Sequence, residues 1–186
     1  MLSKQIEKIW CQQIKESYIK GILCSERQLQ AELYHFLKSN LADHQVWLEP
    51  VIELETEKDK WKIIPDMLIT YHQEIQAVIE LKYVPYGEVK FKPDIEKMYT
   101  LSNQSNSKSF RLKTDPVNGN YTLVQFAIAK NILCIYAAIA RGNHAWGVES
   151  RSFWIENNYQ LNIPNNFLHL VGKVYSNQEC AFIRLD

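Results

Sequence analysis

The hydrophobic period changes once along this chain, from a helical period to a strand period, and this change restricts the fold strongly. Across residues 1–20, apolar side chains recur every three or four positions, which predicts an amphipathic helix that stops at Gly21. Ser25 and Gln28 have the spacing of a capping box that opens a second helix over residues 25–41. The chain therefore begins with two consecutive helices.

From residue 46 onward, β-branched and apolar runs replace the helical pattern. They predict strands at VWLEPVIELETE (46–57), WKIIPDMLITY (61–71) and IQAVIELKYV (75–84). A helix follows at FKPDIEKMYTLS (91–102), and ILCIYAAIA (132–140) is typical of a buried, central strand. This order predicts an α/β or α+β domain in which helices flank a central mixed sheet.

Two regions fit this pattern less clearly. Residues 102–120 are rich in Ser, Asn, Lys, Pro and Gly, and they predict a long loop. In the last third, WGVESRSFWI and ECAFIRL are candidate strands, whereas NFLHLVGKVY fits a helix or a strand. No stretch has the composition of a linker, so residues 1–186 are predicted to form one domain.

Composition excludes several classes of protein. The 186 residues carry 21 basic and 21 acidic side chains, which argues against binding to polyanions through bulk charge. The charged N-terminus does not resemble a secretory signal, and no apolar run is long enough to cross a membrane. The four scattered cysteines form no metal-ligand or disulfide pattern. We therefore expect a cytoplasmic protein that does not associate with membranes.

Two acids and one lysine in the middle strands carry the chemical information. If residues 72–74 form a three-residue hairpin loop, Tyr71 opposes Ile75, and the same register places Asp66 opposite Glu80. Lys82 follows Glu80 on the same face, because alternate side chains of a strand share a face. Two facing carboxylates repel unless a cation lies between them, and oxygen ligands suit Mg²⁺.

This trio has a simpler interpretation. On the wet face of a hairpin, Lys82 and Asp66 would form an ordinary cross-strand salt bridge on an unrelated α+β domain. Three observations favour chemistry instead. The acids face each other rather than alternating with bases, the strands around them are very apolar, and Glu32 lies upstream at the edge of a helical apolar stripe.

The pattern resembles that of a known superfamily. Pro65-Asp66, thirteen further residues and then Glu80-Leu81-Lys82 match the PD-(D/E)XK motif of the restriction-endonuclease-like nucleases. Glu32 matches the acidic residue that many members carry in the preceding helix. The order of the elements around the motif also matches, and the resemblance covers about residues 25–140.

The resemblance implies metal-dependent hydrolysis of phosphodiester bonds. We expect Mg²⁺ or Mn²⁺ as the cofactor and favour DNA over RNA as the substrate. Asp66, Glu80 and the backbone carbonyl of Leu81 would bind the metal, with Glu32 as a further ligand. Lys82 would orient the attacking water. The alternative on the same fold is a catalytically silent domain that binds nucleic acid or a protein.

The charges near the motif are unevenly distributed. Residues 82–113 hold seven basic and three acidic side chains, whereas residues 43–59 hold six acidic and one basic. The basic segment fits phosphate contacts by Lys90, Lys92 and Arg111, although an ordinary solvated loop explains it equally well. The aromatic C-terminal third and the need for two cuts in a duplex favour a homodimer.

Overall fold

The computed structural model describes residues 1–55, 60–85, 90–103, 110–117, 120–142, 162–175 and 179–185. For 54–55, 60–61, 110–117 and 120–124 it describes the backbone alone. The described residues form a mixed α/β fold, in which three helices pack on a sheet of parallel and antiparallel strands. The general fold class predicted from the sequence is therefore confirmed.

The helices begin and end where the local sequence signals lie. Helix α1 consists of α-helical Leu2–Lys8, π-helical Ile9–Ile14 and α-helical Lys15–Ile19, and Gly21 follows it with a positive φ of 72°. Helix α2 spans Glu26–Asn40, and its N-cap Ser25 accepts a hydrogen bond from the Gln28 N–H, as predicted. Helix α3 spans Lys92–Ser102, with Pro93 in its first turn.

Nine strands make up the described sheet structure. They are β1 (Gln45–Leu48), β2 (Ile52–Glu55), β3 (Lys60–Ile63), β4 (Met67–Tyr71), β5 (Glu74–Val84), β6 (Phe110–Val117), β7 (Asn120–Arg141), β8 (Phe167–Val174) and β9 (Cys180–Leu185). Six of them form the main mixed sheet in the order β1-β4-β5-β7-β8-β9, with β5, β7 and β8 parallel. The first half of β7 pairs with β6, which continues to the β2–β3 hairpin.

Several boundaries differ from the sequence predictions. The two long strands predicted over 46–57 and 61–71 are each divided, at segments that contain Pro50 and Pro65. Proline has no N–H to donate to a sheet, so strand pairing stops there. Part of the loop predicted over 102–120 is strand β6. NFLHLVGKVY contains strand β8 and ECAFIRL contains β9, whereas WGVESRSFWI lies outside the described residues.

The β4–β5 hairpin reaches the predicted register by an unexpected route. Its turn has two residues rather than three, because Tyr71 pairs with Glu74 and His72 takes a positive φ of 53°. A bulge then shifts the register between Ile69 and Thr70, so that Met67 pairs with Ile79. Beyond the bulge the register is the one predicted from the sequence, and its continuation places Asp66 opposite Glu80.

The two faces of the main sheet have different covers. Helices α1 and α2 bury one face through Trp10, Leu29, Leu33 and other apolar side chains, which pack on residues such as Ile79. Helix α3 covers the other face through its buried apolar side chains, Ile95, Met98 and Leu101. Of the helices that the structure describes, none is long and apolar enough to cross a bilayer.

Candidate active site

The backbone of Asp66 is fixed at the start of β4 by contacts from two other elements. Its carbonyl accepts hydrogen bonds from the Glu49 N–H (3.0 Å) and from the Gln30 side-chain amide (2.9 Å). The carboxylate Oδ2 accepts from the Leu81 N–H at 2.6 Å. Burial raises the pKa of Asp66, and the Leu81 hydrogen bond and nearby lysines oppose this effect. Asp66 therefore presents its carboxylate to the stretch of β5 that contains Glu80.

Glu80 is almost completely buried, with only 1% of the residue exposed. Its Oε1 accepts a hydrogen bond from the Lys97 ammonium of α3 at 2.8 Å. Burial outweighs the attraction of Lys97 and, together with the charges of Asp66 and Asp94, raises the pKa of Glu80 to about 8. Ionisation of Glu80 therefore costs free energy unless a cation lies close to its carboxylate.

Lys82 lies two residues further along β5, and its partner comes from helix α3. Its ammonium lies 2.9 Å from Asp94 Oδ2, and the two side chains are only 21% and 12% exposed. Burial lowers the pKa of Lys82, but the hydrogen bond and the charge of Asp94 raise it by more. Lys82 therefore remains charged, and the salt bridge with Asp66 considered from the sequence is replaced by one with Asp94.

Four side chains form a network of polar contacts between strand and helix. Lys82 contacts Asp94, Asp94 Oδ1 lies 3.6 Å from the Lys97 ammonium, and Lys97 contacts Glu80. The Lys97 ammonium also donates to the Ile64 carbonyl at 3.4 Å. Three oxygens from different elements thus surround one cationic nitrogen at this place.

Tyr136 lies beside Glu80 on the neighbouring strand β7. The two residues are register partners of a parallel pair, so their side chains share the face that α3 covers. Tyr136 is fully buried, and its hydroxyl makes no hydrogen bond within the described part of the chain. Burial and then the charges of Asp94, Glu26, Glu80 and Asp66 raise the pKa of Tyr136 well above its ordinary value. The site thus includes a neutral phenol whose O–H group donates to no other group of the described residues.

The structure does not bring Glu32 to this cluster, which corrects the sequence prediction. Helix α2 covers the opposite face of the sheet, and Glu32 Oε2 accepts a hydrogen bond from Ser17 of α1 at 2.7 Å. Glu32 borders the apolar stripe of α2, but on the flank that faces α1. The structure therefore does not bring Glu32 together with Asp66, Glu80 and Lys82.

Helix α2 nevertheless contributes to the cluster through residues that sequence reasoning missed. Gln30 holds the Asp66 carbonyl, and Glu26 Oε2 accepts from the Tyr83 N–H at 3.3 Å. Glu26 also acts electrostatically on Lys82. Glu26 and Gln30 are four residues apart and share one side of the helix. This four-residue spacing was the signal in the sequence from which a shared location of Glu26 and Gln30 could have been predicted.

The predicted phosphate contacts are only partly described. Lys90 is exposed at the approach to α3, and Lys92 on its first turn forms an exposed pair with Glu96 at 3.9 Å. The backbone of Arg111 pairs with Glu53 and Gln125 in the sheet, but its side chain lies outside the described residues. Lys92 on the helix that contacts Glu80 and Lys82, and Lys90 just before it, are therefore both exposed to solvent.

The donor set fits a hard divalent cation. Among the described residues, no group of three or more His, Cys, Asp or Glu side chains could hold a metal ion by itself. Two carboxylates and the Leu81 carbonyl, completed by water, still provide the oxygen ligands that Mg²⁺ prefers. The Lys97 ammonium beside Glu80 indicates that this location stabilises positive charge. The spare hydroxyl of Tyr136 could bind water or a ligand oxygen.

Comparison with known proteins does not indicate a function, so a function has to be inferred from the residues described above. A scan against family models, a search of curated proteins and a search of solved structures each found no match to this chain.

Proposed function

We propose that this chain is a nuclease of the restriction-endonuclease-like fold that hydrolyses phosphodiester bonds with Mg²⁺ or Mn²⁺, in DNA rather than RNA. One observation carries the proposal. The Asp66 carboxylate is hydrogen-bonded to the N–H of Leu81, the residue between Glu80 and Lys82. Two acids from successive segments of the chain and a charged lysine thus lie close together beside β5. Neither salt bridge of the site, Lys82 to Asp94 or Lys97 to Glu80, needs Asp66.

The topology around these residues supports the proposal. Asp66 directly precedes β4 and Glu80 lies on β5 of one antiparallel hairpin, and β5 leads through α3 and β6 to β7, which pairs with β5 in parallel. This is the element order that the PD-(D/E)XK resemblance implies around its motif. The motif residues lie on consecutive strands, as that resemblance requires.

Each side chain has a role that follows from its chemistry. Asp66, Glu80 and the Leu81 carbonyl would hold the cation, which when bound supplies Lewis acidity at the scissile phosphate. Lys82 donates hydrogen bonds to the attacking water and stabilises negative charge that develops on the phosphate oxygens. Lys90 and Lys92, with Arg111, would bind phosphates next to the cleaved bond. A homodimer would bring two such sites to a duplex.

The test is single-turnover cleavage of duplex DNA, single-stranded DNA and RNA with Mg²⁺ or Mn²⁺. We expect wild type to cleave DNA, and Asp66→Ala to abolish both cleavage and the calorimetric signal of metal binding. Lys20→Ala is the matched control, because Lys20 forms an exposed pair with Glu16 (2.6 Å) at the end of α1, the helix on the opposite face of the sheet. It should cleave as wild type does.

Two outcomes would contradict the proposal. If wild type cleaves none of the substrates but binds nucleic acid equally well with and without metal, the chain is a binding domain. If Asp66→Ala cleaves at the wild-type rate, any observed nuclease activity arises elsewhere or from a contaminant.

A further inference from the structure

A lysine side chain can orient a water molecule only if its ammonium is held in place. Its ammonium lies at the end of four flexible methylenes, so its position is poorly defined unless a second group holds it. Strand β5 fixes only the direction in which Lys82 leaves the sheet. The contact that fixes the ammonium is Asp94 Oδ2 at 2.9 Å, in a pair that is mostly shielded from water.

Asp94 is itself held rigidly. It lies in the first turn of α3, directly after Pro93, and is 8% exposed. Its neighbours Ile95 and Met98 are fully buried against the sheet, so the helix cannot rotate without exposing its apolar side. Lys97, one turn further, engages the second carboxylate oxygen at 3.6 Å. Both oxygens of Asp94 are therefore committed to lysines.

We propose that Asp94 is a positioning residue that fixes the ammonium of Lys82 for the reaction, rather than a third metal ligand. This inference rests on the proposed nuclease function. Its two lysine contacts distinguish Asp94 from Asp66, whose carboxylate accepts from a backbone N–H. They also agree with the lack of a three-acid metal group among the residues described.

The first experiment is a double-mutant cycle on the single-turnover rate constant, with Asp94→Asn, Lys82→Ala and the combination. Asparagine keeps the shape of aspartate and removes its charge. We expect Asp94→Asn to lower the rate constant by about 10²-fold, the cost of misplacing a catalytic group by roughly 1 Å. Metal affinity and substrate affinity should stay within about twofold. In the Lys82→Ala background, Asp94→Asn should have no further effect, because the residue through which it acts is gone.

The control and the rescue use the same helix. Glu96→Gln removes the acid of the exposed Lys92–Glu96 pair and should leave the rate constant unchanged. Asp94→Glu keeps the charge and should recover part of the activity lost in Asp94→Asn. Circular dichroism and thermal unfolding of each variant show whether it folds, and Asp94→Glu keeps the test decisive if Asp94→Asn does not.

A second measurement does not depend on activity. Brief acetylation with acetic anhydride, read at each lysine by peptide mass spectrometry, reports how firmly the Lys82 ammonium is held. We expect Lys82 labelling to rise several-fold in Asp94→Asn and to stay at the wild-type level in Glu96→Gln. If wild type cleaves nothing, the nuclease proposal fails, and this measurement still shows whether Asp94 holds Lys82.

Three results would overturn the inference. Equal rate losses from Asp94→Asn with and without Lys82 would show a general structural effect. A clear loss of metal affinity in Asp94→Asn would make Asp94 a ligand. Unchanged Lys82 labelling in a folded Asp94→Asn protein would show that Asp94 does not fix the ammonium.

Discussion

The two faces of strand β5 are covered by helices of opposite character. On one face, Ile79 and Leu81 pack among the apolar side chains of α1 and α2. On the other face, Glu80 and Lys82 meet Asp94 and Lys97 of α3 in a network of polar contacts. Glu80 is as deeply buried as Ile79 and Leu81, so burial alone does not account for its polar side chain.

The difference separates residues that hold the fold from residues that need another explanation. Burying a charged group costs free energy even when it is paired, and an apolar pair of similar shape is often at least as stable. The polar network around Glu80 is therefore weak evidence for stability. The free-energy cost of burying these groups is understandable if they bind a cation and a phosphate during the reaction.

The largest difference between the faces should appear on neighbouring residues. We expect Lys82→Ala to lower the single-turnover rate constant by about 10²–10³-fold, because it removes the donor that faces the reacting water. Tyr83 points to the other face, where its hydroxyl donates to the Leu23 carbonyl at 2.8 Å. Tyr83→Phe should cost about 1 kcal/mol of stability and leave the rate unchanged. Similar rate losses in both variants would remove the distinction.

On the apolar face, we expect a substitution to lower the stability of the protein and to leave its cleavage rate unchanged. Leu33 is 1% exposed in the layer between α2 and the sheet. Leu33→Ala should reduce the free energy of unfolding by about 2–5 kcal/mol through lost burial and a cavity. Urea denaturation measures this loss. At a temperature where the variant is folded, its cleavage rate should match that of wild type, and a rate loss without a stability loss would contradict the assignment.

Strand alternation and hairpin pairing correctly predicted the β4–β5 register that brings Asp66 opposite Glu80. These rules are local, and they place Asp66, Glu80 and Lys82 on one face once the register is known. The predicted three-residue turn was wrong, but the bulge near Ile69 offsets the shorter turn. The correct register at the site was therefore reached with an incorrect loop.

The rest of the site depends on packing that no local pattern specifies. Asp94 and Lys97 belong to a predicted helix, but the sequence does not say which face of the sheet that helix covers. Glu32 was misplaced for the same reason, since an acid at the border of an apolar stripe can face either flank. Strand β6 was missed because its N-terminal flank is rich in Ser and Asn and the strand itself contains Pro116, residues that normally indicate a loop.

The raised pKa of Glu80 predicts a stability that falls as pH rises. The unfolded chain loses the Glu80 proton near pH 4.5, whereas the folded protein keeps it until about pH 8. Between these values the folded state binds more protons, so this contribution is full below pH 4.5 and is lost by about pH 8. Glu80→Gln cannot ionise and should gain stability relative to wild type from pH 5 to pH 8.5. Urea denaturation at both pH values tests this, and an unchanged difference would contradict it.

Lys97 should compete with a divalent cation for Glu80. Its ammonium contacts Glu80 Oε1 and must move if a metal ion takes that oxygen. Lys97→Met keeps the aliphatic stem and removes the charge, so we expect Mn²⁺ to bind about tenfold more tightly by calorimetry. Lys92→Met on the same helix, paired only with the exposed Glu96 among the contacts described, should change the affinity much less. Weaker Mn²⁺ binding in Lys97→Met would show that Lys97 supports the site instead.

We expect the smallest effects from substitution of Glu32, and this substitution tests whether Glu32 lies outside the metal site. Ser17 is 4% exposed, and Glu32 provides the acceptor for its hydroxyl at 2.7 Å. Glu32→Gln retains an acceptor and should cost less than about 1 kcal/mol, whereas Ser17→Ala should cost about 1 kcal/mol. Because the two residues act through one hydrogen bond, the double variant should lose less than the sum of the single losses. Neither change should alter Mn²⁺ affinity or the cleavage rate, since both lie on the face away from Glu80. A tenfold loss of Mn²⁺ affinity in Glu32→Gln would return Glu32 to the metal site and overturn the separation of the two faces.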